Sequence, residues 1–281
     1  MTPEPPSRGR TLQGGLWAEV APHEGVARLQ RCRHAAPAHV SKPSWQGGHL
    51  LLQVNCPSTG LFGGDSLTLD VKVREGAAMT LTSQAAMRIH PMHAHDQAEA
   101  INRFDVCGAD SWLEYWPEAT VLQAEANFQQ HTQLDCRDGG EALVLDVVWP
   151  GRLRRGEAFR FGRYHTQLDV QLDESLALRE RGRFDRGSRA RAAWQRALTP
   201  AVQCTVVLVT RRDVSKCAEA LHAWDLPPEC LLGATALPAG GLAVRVLSRN
   251  LRELPRLLQR LRSFAYETAE RPEPSLRRLL A

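Results

Sequence analysis

No stretch of this sequence reaches the roughly 20 consecutive apolar residues that a membrane-spanning helix needs. The opening MTPEPPSRGR has none of the apolar core that marks an export signal. The expectation is a cytoplasmic chain without a membrane segment. Cysteine pairs at metal-binding spacing are missing too. The seven cysteines (Cys32, Cys56, Cys107, Cys136, Cys204, Cys217, Cys230) are odd in number, scattered, and contain no CxxC. That excludes a disulfide framework or zinc knuckle and fits reduced thiols. Charge of one sign is also scarce. Thirty-five Lys plus Arg against 31 Asp plus Glu leave a net charge of +4, too little to draw nucleic acid by bulk electrostatics.

Signatures of catalysis are absent as well. Ser58 and Ser83 lack a G-x-S-x-G setting, and there is no H-E-x-x-H or paired-carboxylate spacing. The glycines of G-L-F-G-G-D, residues 60–65, precede a strand instead of a helix and lack the GK[ST] ending of a phosphate loop. The chain reads as a non-enzyme with no tightly bound cofactor.

What is present is alternation over 281 residues, 43% of them hydrophobic, enough for a substantial core. In S-L-T-L-D-V-K-V, Leu67, Leu69, Val71 and Val73 share one face and Ser66, Thr68, Asp70 and Lys72 the other, which predicts a half-buried strand. After Glu75-Gly76 the pattern resumes at Met79 and Leu81, suggesting an antiparallel neighbour. Further strands are predicted at 50–54, 112–116, 142–149, 165–172, 202–209 and 242–247. Helical periodicity comes late. Val214, Cys217, Ala218, Leu221 and Trp224 share a face, with Asp213 placed as N-cap. Leu254, Leu257, Leu258, Leu261 and Phe264 form a second helix, with Asn250 and Glu253 at capping-box spacing and Pro255 leaving its start open. The predicted organisation is mainly β: a disordered 1–12, one β-rich domain over 13–266 with an α+β portion from about residue 200, and a flexible tail over 267–281.

Four segments carry candidate chemistry. H-P-M-H-A-H-D brings His90, Met92, His93, His95 and Asp96 together, donors suited to nickel or copper, or else a solvated loop. Arranged around a bound water, the same residues would suit a metal-dependent hydrolase. Asp65, after Gly63-Gly64, reads as an exposed turn carboxylate, and Glu157 in R-L-R-R-G-E as an offset to nearby arginines. The basic run Arg179 to Arg196 reads as an exposed loop. An RNA-binding adaptor would use that run, but base stacking needs aromatics and only Phe184 and Trp194 are there.

The order of segments resembles the urease accessory protein UreD (UreH) family from about Trp17 to Phe264. N-C-P-S-T-G-L-F-G-G-D-S-L-T-L-D-V is similar to its P-x-G-G-V-x-G-G-D-x-L-x-L-x-V, and L-T-S-Q-A-A-M-R-I to its T-T-Q-A-A-T-K-V. W-L-E-Y-W-P-E and G-R-L-R-R-G-E-A-F resemble its L-E-Y-L-P-E and G-R-x-x-R-G-E-x-F. The resemblance implies a β-helix-like stack of sheets with a few helices, mostly in the C-terminal third. It also implies a urease-maturation scaffold that passes transient nickel to apo-urease with UreF and UreG, in an accessory complex able to form a homodimer, without nucleic acid or membrane as partner. Its polar passage carries over to Asp65, Thr82, Ser83, Gln84 and Glu157. Two departures stand out: Met87-Arg88-Ile89 leads into the histidine cluster, and Ser58-Thr59 replaces a more glycine-rich approach to the G-G-D turn. The cluster would then be an added nickel-holding loop at one mouth of the passage.

Overall fold

Strands whose every second residue is apolar need a partner layer to cover that face. In the computed structural model of the protein, which describes residues 11–197 and 202–276, two sheets do this for each other. Strands are numbered in chain order. The first sheet has five parallel strands at its centre: β1 (Gln13–His23), β6 (Ser66–Val73), β9 (Ala98–Cys107), β12 (Asn127–Arg137) and β14 (Arg163–Leu172). Antiparallel β2 (Val26–His34) and β15 (Ser175–Asp185) form its edges.

The second sheet runs parallel through β5 (His49–Asn55), β7 (Ala78–Ser83), β10 (Trp112–Trp116) and β13 (Glu141–Trp149). It continues antiparallel through β16 (Val202–Val209), β18 (Leu242–Ser248) and β17 (Cys230–Ala236). Short β3 (His39–Val40) and β4 (Ser44–Gln46) close its other side on β5.

The chain alternates between the sheets, β6 to β7, β9 to β10, β12 to β13, so each pair is one coil of a solenoid-like stack. Short β8 (Met87–Ile89) and β11 (Thr120–Leu122) pair in parallel and form a third side. The expected antiparallel pairing of residues 66–73 with 79–82 is therefore corrected. Both segments are strands, but the Glu75-Gly76 turn carries the chain across the core into the opposite sheet, and each pairs in parallel with the next coil. The mainly β, stacked-sheet expectation holds, with helices concentrated late.

The outer face of the second sheet is covered by α2 (Cys217–His222) and α3 (Leu254–Thr268). Helix α3 buries Leu254, Leu257, Leu261, Ala265 and Tyr266, and each large apolar side chain so covered is worth about 1.5–3 kcal/mol. It begins at Leu254, with Pro255 in the first turn, where its missing N–H costs nothing. Asn250 Oδ1 accepts from the Glu253 amide at 3.2 Å, short of a full capping box. Asp213 does not cap α2, which starts four residues later; its carboxylate accepts from the Ser215 amide instead.

Buried under α3, Glu114 accepts from Thr80 Oγ1 at 2.6 Å, from Tyr266 at 3.0 Å and from both Arg262 nitrogens facing it. Residues 269–276, expected within the tail, are fastened down. Arg262 also reaches Glu273 and the Pro274 carbonyl, Arg271 pairs with Glu141, and the Ser275 amide donates to Gln46. The rest of both expected termini, 1–10 and 277–281, lies outside the described residues. Among the described residues no helix is long and apolar enough to cross a membrane.

The Arg179 to Arg196 run is not a loop, which corrects that expectation. Its first half is edge strand β15, where Arg179 pairs with Asp169 and Glu180 with Arg245. Its second half contains α1 (Arg189–Ala197), whose Trp194 packs among Phe159, Phe161 and Phe184. The aromatics that RNA stacking would need are spent in packing.

Candidate functional site

Where the two sheets face each other near the middle of the stack, the apolar filling is interrupted. A cavity of about 430 Å³ opens there. Leu67, Leu69, Ala100 and Phe128 form its apolar wall, while Asn102, Gln130 and Asp146 supply polar groups from β9, β12 and β13. Thr82, Ser83 and Gln84 line it as β7 runs out, together with Glu118. Thr82 is buried, its hydroxyl donating to the Trp116 carbonyl at 2.6 Å. Ser83 Oγ accepts from the Glu118 amide at 2.8 Å, and Gln84 is exposed at the opening. Three of the five residues assigned to a passage by resemblance thus share one cavity.

Tyr115, Gln130 and Asp146 also line a smaller space of about 20 Å³ with Thr132, Thr166, Gln167 and Thr205. Room for about one water there continues the polar lining deeper between the sheets. Asp146 is the charged residue that lines both spaces. Burial pushes its carboxyl up to about 6, against a hydrogen bond from Gln130 that favours the anion; Glu180 adds repulsion and Arg245 attraction. Near that pH it can take up or release a proton.

Asp65 and Glu157 line neither of these cavities. Asp65 is 5% exposed and not a surface carboxylate: its oxygens accept from the Leu12 amide at 2.8 Å and the Phe62 amide at 2.9 Å, pinning the start of β1 to the turn before β6. Glu157 is held below the usual carboxylate range by its bidentate contact with Arg152, assisted by a hydrogen bond from the Ala124 backbone. Both stitch neighbouring segments together. Thr59 bears out the altered approach to the glycines: it stands at φ 62°, a left-handed conformation that strains a β-branched residue.

The histidine cluster is dispersed by its backbone. His90 stacks on Phe62 with ring centres 4.2 Å apart, and Met92 turns into the core. His93 and His95 stack on each other at the surface, 5.5 Å apart, and His95 lies 3.5 Å from Asp96. Asn127 clamps this segment by donating to the carbonyls of His93 and Asp96. Among the described residues no three His, Cys, Asp or Glu side chains gather as a metal-binding group.

Comparison with known proteins decides the family. The sequence profile of the UreD urease accessory protein family matches residues 13–279. The chain belongs to the UreD family. A urease accessory protein UreD from Opitutus terrae is 29% identical over 279 residues, covering 95% of this chain and 98% of the relative. Those from Haloarcula marismortui and Cupriavidus necator are each 30% identical, over 80% and 89% of this chain and 76% and 88% of their own lengths. Membership in UreD makes the chain an accessory protein with a role in urease maturation.

The UreD signature segments are visible in the fold. T-S-Q lines the cavity, while G-G-D and R-G-E brace the loops beside it. Asp146 and Glu118 were missed by sequence reasoning. A signal existed for Asp146: it is the one charged residue within A-L-V-L-D-V-V-W, a run apolar on both faces, where an unpaired acid is costly unless it has a use.

Proposed function

We propose that this protein conveys nickel toward apo-urease through the polar space between its two sheets, as a scaffold without turnover of its own, in a complex with UreF and UreG. The observation that supports the reading is the lining: amide, hydroxyl and carboxylate oxygens from β9 and β12 of one sheet and β7 and β13 of the other converge on a cavity that holds Asp146 between the sheets and Glu118 in its lining. Oxygen donors attract a hydrated divalent cation without the grip of several imidazoles or thiolates, and transit requires weak sites. Low-dielectric walls of leucine and phenylalanine focus the Asp146 field along the space. Thr82, Ser83 and Gln84 form the approach. Asp65 and Glu157 serve by fixing the loops around it.

The test is nickel-dependent urease activation in cells co-expressing this chain with urease and its accessory proteins. Asp146→Asn should lower activation at limiting nickel, with rescue by excess nickel. Full activation by a soluble Asp146→Asn protein that still joins its partners would overturn the conduit reading while leaving the maturation role intact.

A further inference from the structure

Next to the mouth of the polar cavity lies a second concavity of about 420 Å³ that the conduit reading does not use. Its floor is apolar, formed by Val121, Leu153 and the Trp149 ring. Its rim is cationic. The 3-10 turn at Leu153–Arg155 presents Arg154 and Arg155 on one side, and Arg88, at the centre of β8, approaches from the other. Gly156, at φ 68°, ends the turn and fixes how the two arginines are presented.

A fourth arginine, Arg152, is already held by Glu157. Arg88, Arg154 and Arg155 form no ion pair among the described residues, and all three are exposed. Three guanidinium groups without an ion-pair partner around one concavity, of which Arg155 alone also feels the nearby Glu157 carboxylate, favour an anionic ligand, and carboxylates match their fork geometry. A free inorganic anion would make no use of the tryptophan and leucine floor. A ligand carrying carboxylates together with an aliphatic side chain would use both.

We propose that this pocket docks an acidic peptide segment of a partner protein, its carboxylates on Arg88, Arg154 and Arg155 and an aliphatic side chain against Trp149 and Leu153. Because Ala86 and Arg88 line both this pocket and the polar cavity, the docked segment lies at the cavity mouth. There it neutralises positive charge that otherwise repels an approaching cation. That last consequence rests on the conduit reading; the docking itself does not.

The experiment is fluorescence-anisotropy titration of the full chain with a labelled peptide of four glutamates flanking two leucines. Parallel titrations use the same peptide with serines for the leucines, one with lysines for the glutamates, and an oligothymidylate, with inorganic phosphate as competitor. Saturable binding of the acidic-leucine peptide, weaker binding of the serine version and none of the lysine version are expected. Arg154→Glu/Arg155→Glu should weaken binding by about tenfold or more, and Arg154→Gln/Arg155→Gln should do so less steeply, with circular dichroism verifying the fold of each. Asp146→Asn should leave it unchanged, which separates this proposal from the conduit. No saturable binding by the parent chain, equal affinity in the arginine variants, or preference for oligothymidylate or phosphate would overturn the assignment.

Discussion

At the scale of single residues, Asp146 concentrates the tension between stability and use. Its folded-state carboxyl titrates near 6, above the ordinary value of 3.8. It therefore favours folding fully at pH below its unfolded value, and that contribution is lost as pH rises through about 6. Asp146→Asn should match the parent near pH 4 and exceed it at pH 7.5 by about 1–3 kcal/mol, read by thermal unfolding at both values. Equal stability at both would mean that water in the cavity solvates the anion fully. That Thr82, Ser83 and Gln84 line one cavity could be anticipated because they fall in a recognisable segment. Asp65 was misread as an exposed turn acid, because a sequence shows the turn but not the Leu12 amide that closes over it.

At the scale of elements, the attachment of α3 depends on one buried charge pair. Leu254, Leu257 and Leu261 were readable from i, i+3, i+4 spacing, whereas buried Ala265 and Tyr266 were not, and the partner of Arg262 lies 148 positions away in a strand with no helical signal. Removing one member of a buried pair strands the other, at about 3–5 kcal/mol. Arg262→Leu should cost that much in denaturant unfolding, and Glu114→Gln/Arg262→Met should recover a large part of it. His49 belongs to the same cluster, bonded to Thr80 at 2.9 Å; burial, with repulsion from Arg262 and Arg271, pushes it down to about 4. It is thus neutral at physiological pH. Helix α1 was missed for the opposite reason: Arg189 to Arg196 is so basic that its two apolar anchors, Ala192 aside, reduce to Trp194 and the stem of Arg191.

At the scale of the whole molecule, strand existence was legible and strand partnership was not. Period-two alternation fixes which face is buried, but it is silent on whether a tight turn leads to a hairpin or across the core. At Glu75-Gly76 it leads across, and three coils built this way share no repeated sequence, since each position answers only to its own layer. The first sheet of the stack is left with two long edges. Arginines guard both: Arg28, Arg31 and Arg33 on β2, and Arg179, Arg181 and Arg183 on β15. Arg181→Val/Arg183→Val should produce concentration-dependent self-association by light scattering, with unfolding changed by no more than about 0.5 kcal/mol. Scattering unchanged from that of the parent would show that edge charge does not limit self-association. The distance along the chain between Glu114 and Arg262 also sets a schedule. At roughly 5–20 residues per second, a ribosome needs on the order of ten to thirty seconds to pass from one to the other. Throughout that interval the growing chain carries a carboxylate destined for a dry interior with its counter-ion not yet made, so the second sheet can finish only after translation is nearly done.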